Sequence, residues 1–163
     1  MTEPRYARRP EDFPALADLR QLTGLEYLKK LIAGEFPTMT IAGPLGFRVT
    51  HAEEGLVEMA GRPEAICANG FGQVHGGWYG TVLDSCMTCA VISALPRGRV
   101  QTTLEFKVNM LRALPIGTDI TATGQIEHVG RSTGVARGEI RGSKDGRLYA
   151  TGTATCFILG TAE

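Results

Sequence analysis

The segment from Gly76 to Pro96, GGWYGTVLDSCMTCAVISALP, contains a single carboxylate, Asp84, and no Glu, Lys, Arg or His. Apolar and small residues occupy nearly all its other positions, so a helix formed here has no polar face and must lie inside the protein. Burying a carboxylate in such a helix is costly unless the group is paired, neutralised or used in chemistry. Asp84 is therefore the strongest functional candidate in the sequence.

Two structural alternatives apply to the same segment. Its length suits a transmembrane span, but Asp84 and the several Gly, Ser and Thr residues disfavour a membrane environment. The segment can also be a purely structural buried helix in which a neighbouring donor satisfies Asp84. We expect no membrane partner, and the structural helix stays open as the alternative.

The residues His75, Gly76 and Gly77 mark the start of this helix. The two glycines allow a tight entry and a close approach of the backbone to another group. The first N–H groups of the helix have no intrahelical acceptor, and together with the helix dipole they can hold an anion or a developing oxyanion. Donors at a helix start and a carboxylate two turns later are groups suited to attack on a carbonyl.

Length and charge exclude several classes of function. A chain of 163 residues predicts one domain, and its 17 Lys and Arg balance its 17 Asp and Glu, so no basic field indicates a nucleic-acid partner. The charged opening sequence shows no apolar run, which predicts neither a secretory signal nor a membrane anchor and makes a cytoplasmic location the expectation.

The four cysteines predict neither a metal site nor a redox pair. Cys86 and Cys89 form a lone CxxC inside the apolar helix, and no second ligand cluster or suitably spaced His accompanies them. We expect them to be small core residues, and we expect no metal ion and no cofactor.

Residues 1–40 form an N-terminal segment with one short amphipathic helix. Thr23 and Glu26 have capping-box spacing ahead of a leucine stripe, Gly34 supplies a stop, and Pro37 blocks continuation. We expect this helix to pack on a sheet or on another subunit.

Six segments on either side of the central helix have the period-2 pattern of strands. Two precede it, at 45–53 and 56–61, and four follow it. For the segment 100–111, strict alternation predicts two faces. One face carries Val100, Leu104, Phe106, Val108 and Met110, and the other carries Gln101, Thr103, Glu105, Lys107 and Asn109.

The last three strands carry Gly and Ala repeatedly on one face. Small residues there leave room for a thick object close to the sheet, and the charge-free helix is the obvious one. The sequence thus predicts an α+β domain over residues 41–160, with an antiparallel sheet of about six strands wrapped around one long central helix.

The order of elements and the motifs resemble the phenylacetate-pathway (PaaI-like) group of hotdog acyl-CoA thioesterases. The resemblance covers about residues 40 to 160. It rests on Asn69-x5-His75-Gly76-Gly77, Leu83-Asp84-Ser85, Thr103-x-Glu105-x-Lys107-Val108-Asn109 and Val129-Gly130-Arg131-Ser132.

The resemblance implies a function and a set of catalytic residues. Asp84 would act as general base or nucleophile, and the Gly76 N–H would polarise the thioester carbonyl. Asn69 would position water or the carbonyl across a subunit interface, and Thr103 would orient the attacking water. Asn69 can alternatively be a simple turn residue, and Thr103 a threonine chosen for β-propensity.

The resemblance also implies an acyl-CoA substrate and self-association, with active sites between the subunits of a homodimer or homotetramer. Candidates for the nucleotide end of coenzyme A are Arg112, Arg131 and Ser132. His75 and Gly77 complete the substrate-binding set, with His75 bracing the loop by hydrogen bonding rather than serving as the base.

Two other functions stay open. A hotdog domain can bind acyl-CoA without turnover, although such a module often loses the acid that Asp84 supplies here. A dehydratase or hydratase is the weaker alternative, because it pairs a catalytic His with an acid in a pattern absent around His75. Hydrolysis of a thioester with an aryl or medium-chain acyl group is the leading prediction. Its rate should fall at acid pH as Asp84 becomes protonated.

Overall fold

The computed structural model describes residues 5–160. Four α-helices and six β-strands follow one another along the chain. They are α1 (Leu16–Leu19), α2 (Gly24–Ala33), α3 (Ala42–Leu45), β1 (Phe47–Glu53), β2 (Leu56–Gly61), α4 (Gly76–Ser93), β3 (Val100–Met110), β4 (Ile120–Val129), β5 (Thr133–Gly142) and β6 (Leu148–Leu159). Short 3₁₀ turns lie at Pro10–Asp12 and Ala65–Cys67.

The six strands form one antiparallel sheet in the order β1-β2-β4-β5-β6-β3. The strands β1 and β3 therefore lie at its two edges. Helix α4 packs against all six strands, and most of its residues are buried. The predicted architecture, a sheet of six strands wrapped around one long helix, is confirmed.

Glycines on the helix-facing side of the sheet allow α4 to approach closely. A methyl group at Gly124 would lie 2.4 Å from the carbonyl oxygen of Cys86, and one at Gly134 would lie 2.5 Å from Val91 Cγ1. These distances are shorter than any normal carbon contact, so no larger residue fits without displacing the helix. The small residues predicted to make room for the helix do so.

Helix α4 ends at Ser93, three residues before the predicted end at Pro96. The N–H groups of Ala94 and Leu95 bond to the carbonyls three positions earlier, which tightens the last turn. A proline also disfavours the helical conformation of the residue before it, so Pro96 prevents Leu95 from continuing the helix. Cys86 and Cys89 are both buried within α4, as predicted for core residues.

A β-bulge in β3 places the residues before it on faces opposite to the predicted ones. Thr103 pairs with Cys156, but Glu105 pairs with the adjacent Thr155, so Leu104 is an extra residue without a partner. Before the bulge, Gln101 and Thr103 therefore face the helix. The prediction placed both on the opposite face and was wrong there, as it was for Val100 and Leu104. Period-2 alternation cannot register one inserted residue.

The predicted N-terminal helix corresponds to α2, and its signals operate as expected. Thr23 Oγ1 accepts a hydrogen bond of 3.1 Å from Glu26 N, and Glu26 Oε2 accepts one of 2.8 Å from Thr23 N. Gly34 follows the helix with a left-handed φ of 76°. The helix packs on β1 and α4 of its own chain. Strand β1 begins at Phe47 rather than at Leu45, because Leu45 ends α3 and Gly46 turns the chain with φ 67°.

Candidate active site

The β3 bulge brings Thr103 onto Asp84. Thr103 Oγ1 donates a hydrogen bond of 3.1 Å to Asp84 Oδ1, joining the middle of α4 to the edge strand. Both side chains are half-buried. The sequence named both residues, but it placed Thr103 on the wrong face, and only the bulge explains how they meet.

Burial controls the ionisation of Asp84. Desolvation inside the charge-free helix raises the pKa of the Asp84 carboxyl, and the hydrogen bond from Thr103 opposes this by stabilising the carboxylate. No Lys, Arg or His pairs with Asp84 in residues 5–160. A carboxylate with a raised pKa and one free oxygen is a better proton acceptor than an exposed aspartate.

The start of α4 presents one free donor. His75 Nδ1 accepts a hydrogen bond of 2.9 Å from Gly77 N, and His75 O accepts one of 2.9 Å from Trp78 N. The Gly76 N–H has no acceptor in the part of the chain that the structure describes. Among the first helical N–H groups, that of Gly76 is thus available to a ligand, whereas that of Gly77 is already engaged.

Asn69 shapes the loop ahead of this helix. Asn69 Oδ1 accepts hydrogen bonds from Phe71 N (2.8 Å) and Gln73 N (3.1 Å), and Asn69 N donates to Gln73 O over 2.7 Å. Downstream, His75 N donates to Cys67 O over 2.8 Å. These are the contacts of a turn-forming Asn. They leave the Nδ2 group of Asn69 without an acceptor among the described residues.

The distance between Gly76 and Asp84 decides whether both groups of one chain can act on the same carbonyl. Eight helical positions at 1.5 Å per residue separate them by about 12 Å along the axis of α4. An oxyanion donor must lie about 3 Å from the reacting oxygen. A general base must lie within a hydrogen bond of the attacking water. Gly76 and Asp84 of one helix are too far apart to meet both requirements on one carbonyl.

The three candidates for the coenzyme A nucleotide are exposed and lie in two places. Arg131 and Ser132 form the turn before β5, and Arg131 O accepts a hydrogen bond of 2.7 Å from Arg99 just ahead of β3. Arg112 follows the other end of β3 and donates to Leu148 O over 2.7 Å. The eleven residues of β3 span about 35 Å. Within one chain the structure does not bring Arg112 together with the other two.

An apolar patch lies along the edge strand β3, and the sequence pattern did not predict it. Large side chains of β3 and the following residue are strongly exposed, although hydrophobic residues on a strand normally face a core. They are Leu104 (59%), Phe106 (46%), Met110 (57%) and Leu111 (50%). A single residue of bulge displaces Leu104, and a period-based analysis carries no signal for it.

Comparison with known proteins identifies the family. The family model described as the thioesterase superfamily matches residues 71–149. The chain is 32% identical to a thioesterase from Ralstonia eutropha described as a phenylacetic acid degradation-related protein. That alignment covers 80% of this chain and 98% of that one, with a TM-score of 0.72. The chain belongs to the thioesterase superfamily.

Other solved members of the superfamily agree. The PaaI protein of E. coli, from the phenylacetic acid degradation operon, is 26% identical over 76% of this chain and 87% of its own, with a TM-score of 0.68. A Streptococcus pneumoniae protein described as a hypothetical thioesterase, solved with coenzyme A, is 27% identical over 76% of this chain and 93% of its own, with a TM-score of 0.67. The predicted hotdog fold and PaaI-like group are confirmed. No curated protein matches the chain.

The described residues also bear on membrane association. Over 5–160, none of the helices combines the length and apolar character that crossing a bilayer requires.

Proposed function

We propose that this thioesterase hydrolyses acyl-CoA thioesters and that Asp84 is the catalytic carboxylate. The observation that carries the proposal is the hydrogen bond from Thr103 to Asp84, which is half-buried and has no ionic partner within residues 5–160. Burial raises the pKa of this carboxyl. Coenzyme A bound to the Streptococcus pneumoniae member supports the substrate class.

The reaction follows from the chemistry of the groups. A water held by Asp84 and Thr103 attacks the thioester carbonyl carbon, and Asp84 takes its proton as general base. The oxygen that gains charge accepts a hydrogen bond from a Gly76 N–H. When the tetrahedral intermediate collapses, the C–S bond breaks and the thiolate takes up the proton. Direct attack by Asp84, giving an anhydride that water then cleaves, uses the same groups.

The separation of Gly76 from Asp84 leads us to place the site between two subunits. Strand β3 is an edge strand with unpaired backbone groups and exposed apolar side chains, which suits pairing with β3 of a second copy. Gly76 lies beside Met110 and Asp84 beside Thr103. A two-fold axis near Phe106 and Lys107 would bring Gly76 of the partner subunit level with Asp84.

The same arrangement accounts for the remaining candidates. Asn69 precedes the helix start, so its free Nδ2 would reach Asp84 from the partner subunit together with the oxyanion donor. Arg112 of one subunit and the pair Arg131 and Ser132 of the other would lie at the same end of the antiparallel β3 strands. This supports a shared nucleotide site in a homodimer, or in a homotetramer built from two such dimers.

Release of free thiol from a panel of aryl, short-chain and medium-chain acyl-CoAs tests the proposal. Asp84→Asn keeps the shape of the side chain but removes the base, and we expect kcat to fall by about 10²- to 10⁴-fold. Asp145→Asn, an exposed turn position, is the matched control. Saturable binding of an acyl-CoA without turnover by the wild type would instead identify a binding module. Unchanged turnover in Asp84→Asn would identify a different base.

A further inference from the structure

A cavity lies beyond Asp84, toward the C-terminal end of α4. Its volume is about 300 Å³, and helices α1 and α2 cover it. Its walls are mostly apolar, formed by Leu16, Leu19, Leu22, Tyr27, Ile92 and Leu95. Arg99 and Gln101 are among the remaining lining residues, and Arg99 Nε and Gln101 Oε1 are buried without a hydrogen-bond partner among the described residues. A molecule inside this cavity therefore meets mainly hydrocarbon.

The cavity lies along the same contact between α4 and β3 as Asp84 and Thr103. Helix α4 runs antiparallel to β3, so their contacts proceed in order along both elements. Gly80 approaches Phe106, with 3.4 Å from a methyl group at Gly80 to Phe106 Cε2, and Asp84 contacts Thr103. The next helix-facing residue of β3 is Gln101, which lines the cavity. The cavity thus comes next after Asp84 and Thr103 in the order of contacts between α4 and β3.

The distances set the size of a group that spans both places. Gln101 follows Thr103 by two strand positions, or about 7 Å. An extended alkyl chain with C–C bonds of about 1.5 Å advances roughly 1.3 Å per carbon. An acyl group attached at the catalytic carbonyl therefore reaches the cavity at about its sixth carbon, and shorter acyl groups end before it.

We infer that this cavity receives the distal part of the acyl chain and makes the enzyme selective for medium-chain acyl-CoAs. The inference rests on the proposed function, because it starts the chain at a thioester carbonyl beside Asp84. Each methylene that enters an apolar pocket contributes about 0.8 kcal/mol of transfer free energy. Chains long enough to enter should therefore bind and react better than short ones.

Helix α1 allows the cavity to be changed without disturbing the core. None of its four residues is buried, yet Leu19 lines the cavity. Leu19→Trp places a larger side chain against the space. Ala17→Trp puts the same side chain on an exposed neighbour that does not line the cavity, and it serves as the matched control.

The experiment compares butyryl-CoA with octanoyl-CoA, by kcat/KM and by equilibrium binding in a calorimeter. We expect the wild type and Ala17→Trp to prefer octanoyl-CoA. In Leu19→Trp, kcat/KM and affinity for octanoyl-CoA should fall about tenfold or more, with the butyryl-CoA values within about twofold of wild type. No preference in the wild type, or an equal effect of Leu19→Trp on both, would overturn the inference.

The binding measurements distinguish a failure of this inference from a failure of the proposed function. If the wild type releases no thiol from either thioester, hydrolysis is the part that fails. Chain-length-dependent binding that Leu19→Trp abolishes would still support the cavity as the acyl site, and binding indifferent to chain length would overturn it.

Discussion

Thr103 and Asp84 stand 19 positions apart in the chain, yet Thr103 Oγ1 lies 3.1 Å from Asp84 Oδ1 because Leu104 is extruded from the β3 ladder. The hydrogen bond fixes one carboxylate oxygen and leaves the other for a water or for the substrate. It also stabilises the charged form of a group that burial disfavours. One inserted residue in an edge strand thereby sets both the geometry and the acidity of the proposed catalytic group.

Replacing Thr103 tests this relationship. Thr103→Val keeps the shape and removes the donor, so the pKa of Asp84 should rise further and the acid limb of the kcat/KM profile should move to higher pH. A hydrogen bond to a charged group contributes about 1.5–3 kcal/mol, which corresponds to a loss of activity of about 10- to 100-fold. Thr102→Val, at an exposed neighbouring position, is the control. An acid limb that stays in place would show that Thr103 does not act through Asp84.

Asp84 should also make the free energy of unfolding depend on pH. The direction should be opposite to that of an aspartate whose pKa is lowered by folding. The pKa of Asp84 is raised in the folded state. Its contribution to stability is therefore fully present below the pKa of the unfolded chain and is lost as pH rises through the folded-state pKa. We expect Asp84→Asn to be more stable than the wild type near pH 7, with the difference shrinking in acid. Urea unfolding at several pH values measures this, and a variant less stable than wild type at neutral pH would contradict it.

The close approach of α4 to the sheet gives a prediction about the core. In Gly124→Ala the added methyl group would lie 2.4 Å from the Cys86 carbonyl oxygen, so the helix must move. We expect a loss of about 1–3 kcal/mol in unfolding free energy, as for other overpacked core positions. Gly70→Ala, where nothing lies within 4 Å of the new methyl group, should change stability by less than about 1 kcal/mol. Equal effects at the two positions would show that the sheet does not hold α4 this tightly.

Much of the fold follows from local patterns in the sequence. The charge-free run identified α4, the Gly and Ala positions identified the helix-facing side of β4, β5 and β6, and Thr23 with Glu26 identified the start of α2. These features depend on residue type and period, which a sequence displays directly. The β3 bulge arises because β3 has one residue more than β6 between two successive residue pairs. The alternation of residues within β3 alone does not reveal this difference.

The residues of the candidate site stay predictions, and their arrangement did not follow from the sequence. Asp84 and Gly76 share a helix, and the resemblance brought them into one mechanism, whereas helix geometry keeps them about 12 Å apart. Arg112 and Arg131 are similarly separated by the length of β3. The family resemblance implied a site between subunits, but the residue pattern of one chain does not say which groups a second copy would supply. The proposed two-fold arrangement follows only from the distances in the folded chain.

In the proposed site, Asp84 and the Gly76 N–H act on one thioester from different subunits. One substitution removes that N–H with little other change. In Gly76→Pro the new residue occupies the first helical position, where proline is favoured. His75 already has the extended conformation (ψ 139°) that precedes prolines. Gly76→Ala keeps the N–H and serves as the control. We expect Gly76→Pro to lower kcat by about 10²- to 10³-fold.

The most direct test mixes the two inactive proteins. Gly76→Pro and Asp84→Asn, unfolded together and refolded at equal amounts, form about half heterodimers. Each heterodimer has one site that combines an intact Gly76 with an intact Asp84 from different subunits. A site shared between subunits should therefore restore about a quarter of wild-type thiol release. If each chain carried a complete site, every subunit in the mixture would stay defective. An absence of recovered activity would therefore contradict a site shared between subunits.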